Sequence, residues 1–277
     1  MLESWVGACP ALRPAMPSIQ VLRQLLFYLS IVLFFAVGVR LAIQKLHRVY
    51  PRFFQYVLLE GFFLAILLSI GPGRTLYFWV WLAAHAVLWI FYFLVIIELY
   101  RSVLVQYPGL ASFGRKVMAG ALGVAILVTI ATLRPDLAAA QAQTALAALM
   151  PYSFAIHRGV VSCVLVFIML LTAFLAWFPV AIKRNVGLHT VNFFAYFLSC
   201  SVGLLIRNVT GREATIAVNV ALMAVTDVSL LVWIVFLNRT GEAIQVKLRP
   251  ARSPELEKKL LAQLSDVNAT LSRSSRR

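Results

Sequence analysis

Seven apolar stretches dominate the chain, at residues 25–43, 53–70, 77–99, 117–133, 160–182, 191–209 and 217–238. An α-helix rises 1.5 Å per residue, so about 20 such residues cross a hydrocarbon core of roughly 30 Å. The expected fold is therefore all-α: a polytopic membrane protein built as a bundle of seven transmembrane helices over residues 25–238. Composition agrees. The 277 residues are 62% hydrophobic and 13% charged, whereas soluble domains carry about 25% charged residues. The fourth stretch is the shortest, and Arg115-Lys116 and Arg134-Pro135 bracket it.

The formal net charge of +15 would suggest a nucleic-acid partner in a soluble protein. Its placement argues otherwise. If the first, third and fifth loops and the C-terminal tail share one side, that side holds 17 Lys and Arg against 7 on the other, with Arg40 left inside the first span. Positive charge accumulates on the cytoplasmic side of membrane proteins. The N-terminus is thus expected outside and the C-terminus in the cytoplasm, in a bacterial inner membrane. The basic excess follows from topology, and no nucleic acid is expected as a partner.

Residues 1–24 read as an external tail without the basic start and short apolar run of a cleavable signal, so the first span is expected to act as an uncleaved anchor. Cys9 falls in that tail, and Cys163 and Cys200 fall within spans as small apolar packing residues; no disulfide framework or cysteine metal site is expected. The longest loop carries LAAAQAQTALAALM, strong helix formers between Pro135 and Pro151, which predicts a short external helix near 137–150. Small residues four apart, Ala119 with Gly123 and Ala121 with Ala125, suit close helix packing.

Beyond Asn238 the composition turns polar. Ser253-Pro254 followed by Glu255 and Glu257 is a helix start, with a capping hydroxyl, proline at the first position and acids near the positive dipole end. Leu256, Leu260, Leu264, Val267 and Leu271 then form one apolar stripe over 254–271. This cytoplasmic helix, in a basic tail of residues 239–277, is expected to lie on the bilayer, on the bundle or against a protein partner. No kinase, cyclase or nucleotide-binding domain is visible downstream, so a signal would leave through a separate protein.

Ionisable groups cost about 2.5–3.5 kcal/mol at the centre of a membrane helix on insertion scales, and so mark candidate sites. Asp227 lies midway along the seventh span with Asn219 and Thr226 nearby, Glu60 lies inside the second span and His85 in the outer half of the third. These four, Asp227, Asn219, Glu60 and His85, are the candidate ligand or ion residues. Arg40 and Glu60 approach the inner side in adjacent antiparallel spans and are expected to form a structural ion pair. Arg40, Glu98 and Arg207 lie near span ends, where long side chains can snorkel to water. No span centre contains a lysine for a Schiff base, only His85 among the histidines falls well inside a span, and no HExxH or GxSxG occurs. A non-enzyme with no cofactor and no metal is expected.

YPRFFQY at 50–56, TLYFWVWL at 75–82, IIELYRSVL at 96–104, YPGLASFGRKV at 107–117, HRGVVS at 157–162 and LLAQLSDVNATLSR in the tail resemble a group of uncharacterised seven-helix membrane proteins of acidobacterial genomes. The resemblance covers nearly the whole chain and implies a bacterial inner-membrane protein with seven spans. It carries over no site residue. Odd span count, external helix and amphipathic tail together suit a receptor-like or signal-coupling protein. A small-solute, proton or ion transporter using Asp227 and Glu60, and a structural subunit of a membrane complex, are the alternatives.

Overall fold

The computed structural model describes residues 17–71, 75–104, 108–141, 145–177, 182–210 and 215–243. Among these residues the chain is entirely helical: α1 Pro17–Ile43, α2 Pro51–Ile70, α3 Thr75–Leu104, α4 Pro108–Gln141, α5 Ala145–Trp177, α6 Arg184–Thr210 and α7 Thr215–Phe236. Two short 3-10 turns, Leu46–Arg48 and Arg239–Glu242, follow α1 and α7. Contacts divide the chain into Met1–Ala243 and Ile244–Arg277. Of the expected external tail, residues 1–16 lie outside the described residues and residues 17–24 begin α1; the stripe of Leu256, Leu260, Leu264, Val267 and Leu271 also lies outside the described residues.

Among the described residues six helices are long and apolar enough to cross a membrane, over Ile19–Ile43, Pro51–Ile70, Thr75–Val103, Ala155–Trp177, Arg184–Ile206 and Thr215–Phe236. The protein is a multi-pass membrane protein. Their outward residues are large and apolar, with Val32, Ile43, Ile90, Val191 and Val235 all more than half exposed, a surface suited to lipid and not to water. The fourth expected span differs. Its apolar segment, Lys116–Ala131, has 16 residues and so rises only about 24 Å.

The separate external helix expected near 137–150 does not form. Its helix-forming residues instead lengthen α4 to Gln141 and start α5 at Ala145, and both helices run through their prolines, Pro135 and Pro151. A proline costs one backbone hydrogen bond but does not end a helix that its neighbours support. Residues 142–144, between the two helices, lie outside the described residues.

α1, α2, α3, α6 and α7 form a closed ring, each in contact with the next, while α5 packs against α3 and α6, and α4 against α5 and α3. Of the two small-residue pairs in α4, Ala121 and Ala125 are buried as expected, whereas Ala119 is exposed and nothing crowds Gly123. Turns between helices use the left-handed region twice. Lys45 has φ 57° after α1, and Gly71 has φ 75° after α2, where its N–H still reaches the Leu67 carbonyl at 3.1 Å.

A close contact of α1 with α2 depends on a missing side chain. A Cβ at Gly61 would lie 3.2 Å from Cβ of Phe34, both backbone-anchored atoms. Gly61→Leu is therefore expected to separate the two helices and to destabilise the protein by about 1–3 kcal/mol. Thermal unfolding in detergent measures it, and an unchanged melting temperature would contradict this account of the interface.

Candidate functional site

The helix ends on one side of the bundle gather Lys45, Arg48, Arg52, Arg101, Lys183, Arg184 and Arg239, and this basic end holds the densest polar network. Glu242, in the turn after α7, is its centre. Oε1 accepts from the Tyr50 hydroxyl at 2.7 Å and from Nδ2 of Asn185 at 2.6 Å, and Oε2 pairs with Nζ of Lys183 at 3.3 Å. Asn185 also donates to the Asn238 carbonyl at 2.7 Å. The Asn238 side chain caps the turn, accepting from the N–H of Gly241 at 2.7 Å. Gly241 is required by closeness. Any Cβ there would overlap the Asn185 side chain.

Burial first, then the hydrogen bond and charge of Glu242 and the charge of Glu98, push the Tyr50 phenol above the ordinary tyrosine range. Tyr50 therefore remains the donor in this bond at physiological pH. Glu98 performs a second task at this end. Its carboxylate accepts the backbone N–H of Arg52 at 3.0 Å and of Phe53 at 3.1 Å, so a residue of α3 caps the start of α2. Proximity to the span end suggested snorkelling; the structure turns Glu98 toward its neighbour.

Above this network lies an aromatic shell. Phe53, Tyr50, Phe193 and Trp233 surround His189, with ring centroids at 4.6, 5.0, 6.2 and 6.0 Å. His189 is fully buried, and neither ring nitrogen has a partner among the described residues. Nε1 of Trp233 is likewise enclosed and unpartnered. Histidine placement departs from expectation here, since His189 and His157 both lie inside membrane-spanning helices alongside His85. His189 stands only five residues into α6, and so reads in sequence as part of a polar loop.

The expected Arg40–Glu60 ion pair is not formed. Arg40 is three residues from the end of α1, and Glu60 nine residues into α2, which at 1.5 Å per residue separates their depths by about 9 Å. Arg40 instead points Nη2 at the Val235 carbonyl, 3.5 Å away. Glu60 is half-buried at mid-bundle, with Oε2 enclosed and unpartnered, within electrostatic reach of the Tyr56, Tyr92 and Tyr196 phenols.

Asp227 is 3% exposed and bridges α7 to α1, its Oδ1 accepting from the Ser30 hydroxyl at 2.6 Å while Oδ2 has no partner. Asn219 is not beside it. Two turns away on α7 and exposed, Asn219 belongs to a different level of the bundle. Thr226 bonds its own helix, to the Leu222 carbonyl at 2.9 Å. His85, toward the opposite end, places Nδ1 2.9 Å from the Trp81 carbonyl and its ring edge-on to His157 at 5.5 Å, while Trp89 donates to Nδ1 of His157 at 3.1 Å. A carbonyl can only accept, so His85 carries its proton on Nδ1 and leaves Nε2 as an acceptor. The four candidates thus occupy four separate places. Among the described residues, no group of three His, Cys, Asp or Glu side chains is arranged to hold a metal ion.

No family model, curated protein or solved structure matches the chain.

Glu242→Ala removes the acceptor of Tyr50 and Asn185 and the partner of Lys183, and is expected to cost about 2–3 kcal/mol; Tyr50→Phe, which deletes one bond, about 1 kcal/mol. Unfolding of both variants in mixed micelles checks the order. Equal losses would show that Glu242 is not the hub.

Proposed function

We propose that the protein is a non-enzymatic, receptor-like membrane protein that couples events in its helix bundle to its C-terminal tail. The observation that carries this reading is the fastening at Glu242. The four-residue turn joining α7 to the C-terminal unit is tied at once to the start of α2 through Tyr50 and to the start of α6 through Lys183 and Asn185. A shift of α6 against α7 strains these bonds first, so the exit of the tail reports the arrangement of the bundle.

The same reading places seven spans in a bacterial inner membrane, N-terminus outside and tail inside. Two observations support it. The basic residues of the described helix ends gather on the side from which the tail leaves, and α4 lies along α5, with Thr129 donating to the Gly159 carbonyl at 3.4 Å. Single cysteines replacing Gly73 and Thr144, in a chain whose own cysteines are serine, test the topology. Both should react with an impermeant maleimide from outside; reaction of the Thr144 position only after lysis would remove α4 from the spans.

Function is tested by purification from native membranes with and without residues 250–277. A partner lost with the tail is the expected result, and Glu242→Ala should weaken its capture. Co-purification that ignores the tail would instead favour a structural subunit. Transport remains the second reading because Glu60 and Asp227 both hold an enclosed carboxylate oxygen without a partner. It requires that Asp227→Asn abolish a proton or ion response in vesicles. In a structural role Asp227→Asn is silent, and Asp227→Leu costs less than about 1 kcal/mol because Ser30 keeps its bond to the Leu26 carbonyl at 2.9 Å.

A further inference from the structure

A partly open cleft lies between α3, α5 and α6. Its walls are helical faces at regular spacing: Ile96 and Tyr100 of α3, Ile168 and Thr172 of α5, Val186 and Phe193 of α6, among others. From residue 168 to 175 of α5 the cleft runs about 10 Å along the helix axis. One end is deep in the bundle at Phe193. The other end coincides with the edge of the apolar spans, since Tyr100 is three residues from the end of the span Thr75–Val103 and Val186 two residues from the start of Arg184–Ile206.

Three features at that shallow end point to an occupant. The Tyr100 side chain is buried, and its hydroxyl has no partner; a phenol at this depth sits at the level of the lipid ester groups. Arg101, next to Tyr100 in the chain, and Arg184, two residues before Val186, are both exposed and have no hydrogen-bond or ion-pair partner among the described residues. Lys183, beside them, is already engaged by Glu242. An apolar slot, an enclosed donor without a partner in the wall of its shallow end and two free guanidinium groups beyond it match an amphiphile read from tail to head: hydrocarbon, then an acceptor oxygen, then a negative charge.

We propose that this cleft binds one acyl chain of an anionic glycerophospholipid from the surrounding bilayer. The Tyr100 hydroxyl donates to the ester carbonyl of that chain, and Arg101 and Arg184 hold the phosphate headgroup. The site is independent of the Glu60 and Asp227 carboxyls and of the coupling reading above. A lipid held there bridges the basic-end halves of α3, α5 and α6.

Native mass spectrometry of the full chain, released from nanodiscs of equal phosphatidylglycerol and phosphatidylcholine, tests the proposal. The wild type should retain one phosphatidylglycerol in preference to phosphatidylcholine by about tenfold. Thr172→Trp, an exposed position whose indole fills the slot, should abolish retention of either lipid. Arg101→Gln with Arg184→Gln should keep a bound lipid while losing the preference, and Tyr100→Phe should lower retention several-fold. Circular dichroism and thermal unfolding confirm that each variant is folded; should Thr172→Trp fail that check, the polar variants decide alone. Equal retention of the two lipids by wild type, retention unaffected by the filled slot, or a preference that survives loss of both arginines would each overturn the proposal.

Discussion

Inside a hydrocarbon layer a backbone N–H or C=O has no water to bond, and each one left open costs several kcal/mol. The helix satisfies all but the first four donors and the last four acceptors, so the difficulty moves to the helix ends. That is where this protein concentrates its polar side chains. Glu98 of α3 closes the first N–H groups of α2, Asn238 caps the turn after α7, and Asn185 takes up the Asn238 carbonyl. These bonds join neighbouring helices, and so the satisfaction of helix ends is also what fixes the bundle's assembly at the basic end.

Between the ends, packing is largely aromatic. Phe53 meets His189, Phe193 and Trp233 edge to face in the shell above Glu242, a geometry in which ring edges meet ring faces favourably. Lipid offers no hydrophobic force to press helices together, so such shape-dependent contacts and a few interhelical hydrogen bonds do that work. Asn192 to the Ser229 carbonyl and Ser30 to Asp227 each join two helices in this way. The consequence for function is a bundle whose polar groups are not pooled in one cavity. They lie at separate levels, with the best-connected one at the exit of the tail.

Much of the architecture was legible in the linear chain because hydropathy is a property of each segment by itself. Six of the spans and the gathering of basic residues follow from it. Where a feature depended on depth or on a neighbour, the same reasoning failed. Arg40 and Glu60 occupy adjacent antiparallel helices, yet pairing needs a match within a few ångströms along the axis, and their register differs by roughly twice that. The alanine-rich segment near 137–150 has the propensity of a helix, but propensity does not say whether a helix stands alone or extends its flanking helices, and here it extends both. His189 carried a faint signal, a histidine five residues after a basic pair at a span edge; nothing in the spacing announced the shell around it.

The sequence by itself determined that this is a multi-pass membrane protein, which segments are helical and where positive charge collects, since these depend on runs of residues and on the cost of transferring each run into hydrocarbon. Only the tertiary structure decided which polar groups meet. It brought Glu242 to Tyr50, 192 residues away in the chain, and Asp227 to Ser30, 197 residues away, while leaving Asn219 apart from Asp227 on their shared helix. The reason is physical: hydrophobic transfer is summed along a segment, whereas a hydrogen bond exists only when two atoms from different segments arrive within about 3 Å of each other.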